Sequence, residues 1–258
     1  TLGIAAQTKE VKFSLLETTD VHGNYLPYNF ITGEDGTGSM ARVYTYVKQL
    51  RQTEGKDHVV LLDNGDILQG QPIAYYYNYI DTKSPHLCSA VLNYMQYDAG
   101  TVGNHDVETG HAVYDRWVKQ CKFPMLGANV IVTKNEKPYW KPYTIIERQG
   151  VKIAVLGMIT PGIPMWLPEN LWSGLRFDDM LQVAQRYMPE MRKKADIVVG
   201  LFHSGVGKDK GTPIAAENAS VAVAEKVPGF DIVFCGHDHR RANRRIVNTA
   251  GDSVWVLN

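Results

Sequence analysis

The chain has little that would draw it to a charged polymer or a bilayer. Lysine plus arginine and aspartate plus glutamate number 27 each, so the formal net charge is zero. A field of one sign, of the kind that attracts nucleic acid or an anionic membrane, is therefore missing. No apolar run approaches the roughly 18 residues that a membrane-spanning helix needs. Cysteine is scarce. Cys88, Cys121 and Cys235 are the only three and none forms a CxxC pair, which argues against a zinc-thiolate knuckle. One disulfide, Cys88 to Cys121, is open to the chain, although buried free thiols are the commoner fate of such residues. Low-complexity tracts and fixed-period repeats are absent too, which excludes a solenoid.

What is present reads as an ordinary globular core: 258 residues, 44% hydrophobic and 21% charged, enough for one large domain or two small ones. Apolar segments of strand length recur at 11–18, 59–62, 124–132, 144–147, 151–159, 197–202, 232–235, 246–249 and 253–257. Between them lie helical spacings. Ser39 is placed to cap a helix carrying Met40, Val43, Tyr44, Val47 and Leu50 on one face. Further helices are expected over 87–95, 111–119, 178–194 and 215–226, with Pro189 set to disturb the fourth. Alternating strands and helices predict a layered α/β domain. Hairpin turns at Arg148-Gln149-Gly150 and Ala250-Gly251-Asp252 predict a mixed sheet, or two sheets packed face to face with helices outside. The opening TLGIAAQTKE is small and apolar and then polar. It reads as the tail of a cleaved secretory signal or as a flexible terminus, which sets residues 1–10 apart from a domain at 11–258.

The polar clusters follow the strands, at the sheet edge where α/β folds bind ligands. They are Asp20-Val21-His22, Gly65-Asp66, Gly103-Asn104-His105-Asp106, His203 and Gly236-His237-Asp238-His239. Carboxylate, amide and imidazole donors together suit zinc, manganese, iron or cobalt without choosing among them. Four histidines, two aspartates and an asparagine are too many for one tetrahedral ion, so the count points to two. Glycine beside the donors lets the chain leave a strand abruptly. In an extended His237-Asp238-His239 both imidazoles would face one side, one for each of two neighbouring ions. Any one of these clusters alone is commonplace, because a single histidine at a strand end is usually structural. All five in order, each at a strand end, outweigh that reading.

This ordered set resembles the calcineurin-like metallophosphoesterase superfamily. More narrowly it resembles the catalytic domain of the 5′-nucleotidase and 2′,3′-cyclic-nucleotide phosphodiesterase/3′-nucleotidase family. The narrower likeness rests on Glu17-Thr18-Thr19-Asp20-Val21-His22-Gly23-Asn24, Gly38-Ser39-Met40-Ala41-Arg42, and Met188-Pro189-Glu190-Met191-Arg192 leading to His203-Ser204-Gly205. Glu217-Asn218 and Val227-Pro228-Gly229-Phe230-Asp231 add to it. The resemblance implies a four-layer fold, two mixed β-sheets face to face with flanking helices. It implies that Asp20, His22, Asp66 and His239 hold one divalent ion, and that Asp66, Asn104, His203 and His237 hold the other. It gives His105 a catalytic part at the phosphate or the leaving oxygen, with Asp106 orienting the imidazole. It further implies hydrolysis of small nucleotide phosphoesters, export to the periplasm or medium, and a second, C-terminal domain that binds the nucleotide. The residues after Asp106, Val107-Glu108-Thr109-Gly110, depart from the aromatic residue that many members carry there.

Rival readings are a phosphoesterase of another substrate class, such as a protein phosphatase or nuclease, and a non-catalytic metal-stabilised binding module. Neutral charge speaks against nucleic acid. Arg240, Arg241, Arg244 and Arg245 read as a phosphate patch or, with more weight, as a solvated face. Tyr75-Tyr76-Tyr77 and Tyr79 could stack on a base, although packing of an aromatic helix is the weightier reading.

Overall fold

A computed structural model describes residues 10–30, 32–207 and 217–258. The tail expected over 1–10 falls almost wholly outside these residues, as does the start of the helix expected over 215–226. Two sheets organise the rest. The first holds Ser14–Thr18, Val59–Asp63, Ala99–Thr101 and Met125–Leu126 in that order, all parallel. The second runs in the order Asn243–Val247, Ser253–Leu257, Ile232–Cys235, Ile197–His203, Val151–Ile159, Tyr143–Arg148. Its outer hairpins are antiparallel and its centre is parallel. Two sheets with flanking helices agree with the expectation, although only the larger sheet is mixed.

The layering follows from side chains that alternate along each strand. Val60, Leu62 and Leu126 of the first sheet meet Ile153, Val155, Val199 and Leu201 of the second in a buried layer between the sheets. The opposite faces carry Leu61 on one side, against helices Met40–Thr53, Leu87–Met95 and His111–Gln120. On the other side Ala154, Leu156, Met158, Val198 and Phe202 pack under Met180–Lys194 and Ser220–Lys226. Strand Val59–Asp63 is buried at all five positions, as a strand covered on both faces must be.

Several local expectations meet a tertiary answer. Ser39 caps its helix, its hydroxyl accepting from the Arg42 N–H at 3.3 Å. Helix Met180–Lys194 runs through Pro189 without ending. The apolar stretch 124–132 is two short strands, Met125–Leu126 and Val130–Val132. Between them Asn129 turns inward, its amide donating to Ile159 O at 2.7 Å and its oxygen accepting from Ile159 N at 3.0 Å. The three cysteines are free thiols.

Every parallel strand of both sheets delivers its C-terminal end to one edge, so loops far apart in sequence converge there. Gly157 lets the second sheet pass close to the first, since a Cβ at this position would fall 2.3 Å from Leu126 Cβ. Gly157→Ala should therefore destabilise the fold by about 1–3 kcal/mol, the usual cost of overpacking. Urea unfolding measures this, and an unchanged midpoint would contradict the close approach.

Candidate metal centre

The loops at this edge are tied to one another through their backbones. The Asp20 N–H donates to Gly65 O at 3.0 Å and the His22 N–H to Asp66 O at 2.9 Å. The His237 N–H donates to the Asp20 carboxylate at 3.0 and 3.1 Å. The His105 N–H donates to Asp66 Oδ1 at 2.8 Å. Gly103 is required here, because a Cβ would sit 2.1 Å from Asp66 Oδ1. Eight described non-glycine residues have left-handed φ, and five of them are Asp20, His22, Asp66, His237 and His239. Each such residue costs on the order of 1–3 kcal/mol and persists only where the surroundings impose it, which is typical of binding sites. His237 and His239 thus diverge from bent backbone rather than from the extended segment expected of them.

The side chains gather into two groups. Ligand atoms of Asp20, His22 and His239 lie within 4.8 Å of one another, and so do those of Asp66, His203 and His237. Asn104 joins the second group, its Oδ1 lying 3.1 Å from His203 Nε2 and 2.7 Å from His237 Nδ1. The structure thus brings the seven residues into two neighbouring groups, with Asp66 in the second group only, whereas the expectation counts it in both. In the first group the Nε2 atoms of His22 and His239 face each other at 3.2 Å, and Asp20 Oδ1 lies 3.3 Å from His239 Nε2. Nitrogen lone pairs converging beside a carboxylate leave a place suited to a cation, and the mixed oxygen and nitrogen donors fit divalent zinc, manganese, iron or cobalt.

Outer partners fix the donors. His203 Nδ1 donates to Asn64 O at 2.6 Å, which leaves Nε2 for the centre. His237 Nε2 lies 2.8 Å from Glu217 Oε1, which leaves Nδ1. His22 Nδ1 lies 3.1 Å from Gln69 Oε1. Carboxylate and carbonyl partners of this kind set tautomer and ring orientation in metal sites. Burial alone would depress His203, but the Asp66 carboxylate 3.1 Å away overcomes it and pushes the imidazole up to about 10. Burial would likewise raise Asp66, and His203 reverses that too, holding the carboxyl down at about 2. His237 is lowered by burial and by the charge of His203, which favours the neutral form that ligates.

The expected His105–Asp106 pairing is not formed. Asp106 is fully buried and points away, accepting the backbone N–H groups of Asp66 and Gly103 on Oδ2, each at 2.8 Å, and of Ile67 and Leu68 on Oδ1, each at 2.9 Å. An ionised carboxylate accepts from several donors at once, and four backbone donors outcompete one imidazole. His105 pairs with Glu108 instead, Nδ1 to Oε2 at 2.6 Å. The i,i+3 spacing on a short helix was the signal for this partner. Trp166, stacked on His237 with ring centroids 5.5 Å apart, carried no such signal. The histidines outside the motifs are structural. His58 holds Lys12 O, His86 holds Asn78 and His111 holds Ser173 O. Arg245 lies over the Trp255 ring at 5.2 Å, which suits the solvated-face reading of the arginines.

A sequence profile of the calcineurin-like phosphoesterases matches residues 13–241. The chain belongs to the calcineurin-like phosphoesterase family. Among its relatives is the 2′,3′-cyclic-nucleotide 2′-phosphodiesterase/3′-nucleotidase of Haemophilus influenzae, 36% identical over 92% of this chain and 37% of that protein. The trifunctional nucleotide phosphoesterase protein YfkN of Bacillus subtilis is 32% identical over 89% of this chain and 17% of that one. This phosphoesterase thus spans little more than a third of the Haemophilus protein's length. The crystal structure of YfkN superposes with a TM-score of 0.81 at 30% identity, over 90% of this chain and 73% of that one. A putative 5′-nucleotidase from Staphylococcus aureus also gives 0.81, at 27% identity over 94% of this chain and 47% of that one.

Asp106→Asn puts an amide donor against backbone donors and leaves N–H groups of the Asp66 loop unpaired. The change should destabilise the fold by about 2–4 kcal/mol, as for a buried hydrogen-bonded charge, and should displace Asp66. Thermal unfolding and metal titration report on the two effects. Wild-type stability would contradict the structural role of Asp106.

Proposed function

We propose that this chain is a dinuclear metal-dependent phosphoesterase acting on nucleotides, as 2′,3′-cyclic phosphodiesters or as 3′- or 5′-phosphomonoesters. The observation that carries the reading is the pair of adjacent donor groups with His105 at their side. Its ring lies 5.4 Å from that of His22, and its Nδ1 is held by Glu108. Asp20, His22, Asp66 and His239 would hold one ion, and Asp66, Asn104, His203 and His237 the other. Two such ions supply Lewis acidity toward phosphate and a nucleophile from water at neutral pH.

The remaining chemistry belongs to the chain. Glu108 holds His105 Nδ1 and so fixes the orientation of the ring, which leaves Nε2 to serve the departing oxygen. The buried Asp66–Asn104–His203 cluster positions the phosphate through a rigid frame. A non-catalytic module has no need of a paired, half-exposed imidazole beside its donors. The names of the relatives support nucleotides as substrates. The share of the relatives' length that the chain spans supports reading 11–258 as the catalytic unit of a longer protein, and the family resemblance of the sequence is the ground for reading that protein as exported to the periplasm or medium. No helix among the described residues is long and apolar enough to cross a membrane.

Neighbouring residues should fail differently. His105→Asn removes no donor of either group, so metal content should stay at two per chain while kcat falls by about 10²- to 10⁴-fold. Added metal should not restore it, and Glu108→Gln should show a milder form of the same loss. Asn104→Ala should lose metal, with turnover partly restored when metal is added. Elemental analysis beside kcat on a nucleotide decides the matter. Metal loss in His105→Asn, or full turnover, would overturn this division.

A further inference from the structure

The imidazole of His237 is held from two sides. Its ring stacks on Trp166, with centroids 5.5 Å apart and planes 25° apart, inside the range of an attractive aromatic pair. Its Nε2 meets Glu217 Oε1 at 2.8 Å. The side chain between them is only 9% exposed, whereas that of His239, two residues on, is 59% exposed. Trp166 itself is 41% exposed, so the indole is not there to fill the core.

Both arms of this grip are rooted at the strand end that carries His203. Thr160 is buried and donates its N–H to His203 O at 2.8 Å, and its hydroxyl accepts from the Gly162 N–H at 3.2 Å. Gly162 opens the short helix Ile163–Trp166, which is anchored by the fully buried Ile163. A Cβ at Gly162 would fall 2.5 Å from the Trp166 indole, so the ring lies against bare backbone there while it stacks on His237. In the other arm Ser204 Oγ donates to Glu217 O at 2.8 Å and accepts the Ala219 N–H at 2.9 Å. His203 and Ser204 thus anchor both residues that hold His237.

The two contacts restrain different motions. A hydrogen bond at Nε2 fixes one atom and leaves the ring free to tilt about it, whereas a stacked plane removes the tilt. Together they keep Nδ1 turned toward Asn104 Oδ1, 2.7 Å away, although His237 leaves a bent backbone with φ 77°. A ring fixed before its ion arrives loses little freedom on binding. The first donor group lacks such a grip. Among the described residues the ring beside that of His239 is His22, itself a member of that group. We propose that Trp166 is a positioning residue for the second ion: with Glu217 it holds the His237 imidazole in the orientation that ligates, and so sets how tightly that ion, and not the other, is bound. The inference rests on the reading of His237 as a ligand.

The zinc-loaded protein is equilibrated with graded concentrations of a chelator, and the zinc remaining per chain is counted. Wild type should give two steps, one for each ion. Trp166→Leu keeps an apolar side chain against Gly162 but loses the flat ring. It should move one step to chelator concentrations about ten- to hundredfold lower, the usual cost of losing an outer partner of a ligand, and leave the other step in place. Trp166→Phe should behave as wild type, which separates a lost ring from a disturbed turn. In a His237→Ala background Trp166→Leu should shift nothing further, because the imidazole through which it acts is gone. Tryptophan emission gives a second readout. It should change across the affected step in wild type and stay flat in Trp166→Phe, although Trp117, Trp140, Trp172 and Trp255 remain. Two unmoved steps in Trp166→Leu, both steps moved alike, a further shift in the His237→Ala background, or wild-type emission that ignores zinc overturns the positioning role. Two unmoved steps in His237→Ala itself remove His237 from the ligand set and overturn the reading on which that role rests.

Discussion

The carboxylate of Asp106 holds four backbone N–H groups, from Gly103 and from Asp66, Ile67 and Leu68. Two loops that leave different strands are locked together by one buried charge. Asp66 is thereby placed against His105 N and His203 Nε2, and Leu68 is placed to receive the Asn78 amide. The second donor group, the neighbouring His105 and the aromatic turn beyond all depend on this clasp. A neutral side chain of the same shape cannot accept from four donors, which is why the position demands an acid although it belongs to neither donor group.

The two sheets make such a clasp possible. Parallel strands bring successive loops to one edge, and the bare backbone at Gly157 lets the second sheet close against Leu126. His203 and the His237–His239 loop arrive from the second sheet, while Asp20, Asp66 and Asn104 arrive from the first. The donor groups therefore straddle the interface between sheets. Five left-handed backbones concentrated there are strain that the surrounding hydrogen bonds impose, and they aim side chains that a relaxed loop would scatter.

Much of this was legible in the residues. Donor types, their place after apolar strands and the adjacent glycines are local features, so the gathering of these seven side chains at one edge and the face-to-face layering could be read from the sequence. What could not be read depends on partners distant in the chain. Whether Asp106 turns to a neighbouring imidazole or to the N–H groups of Asp66, Ile67 and Leu68 is decided by how two loops dock. The parallel course of the whole first sheet is a matter of long-range pairing, and the apolar stretch 124–132 breaks because Asn129 finds Ile159. Tyr75 and Tyr79 look like helix packing in the sequence, but both are exposed and line one cavity with His105 and Trp166.

The central claim is that these loops hold two ions side by side. Crystals of the protein grown with manganese and measured at an energy where manganese scatters anomalously test it directly. Two anomalous peaks about 3.5–4 Å apart are expected, one among Asp20, His22 and His239 and one among Asp66, Asn104, His203 and His237. A single peak, or peaks away from these side chains, would contradict it.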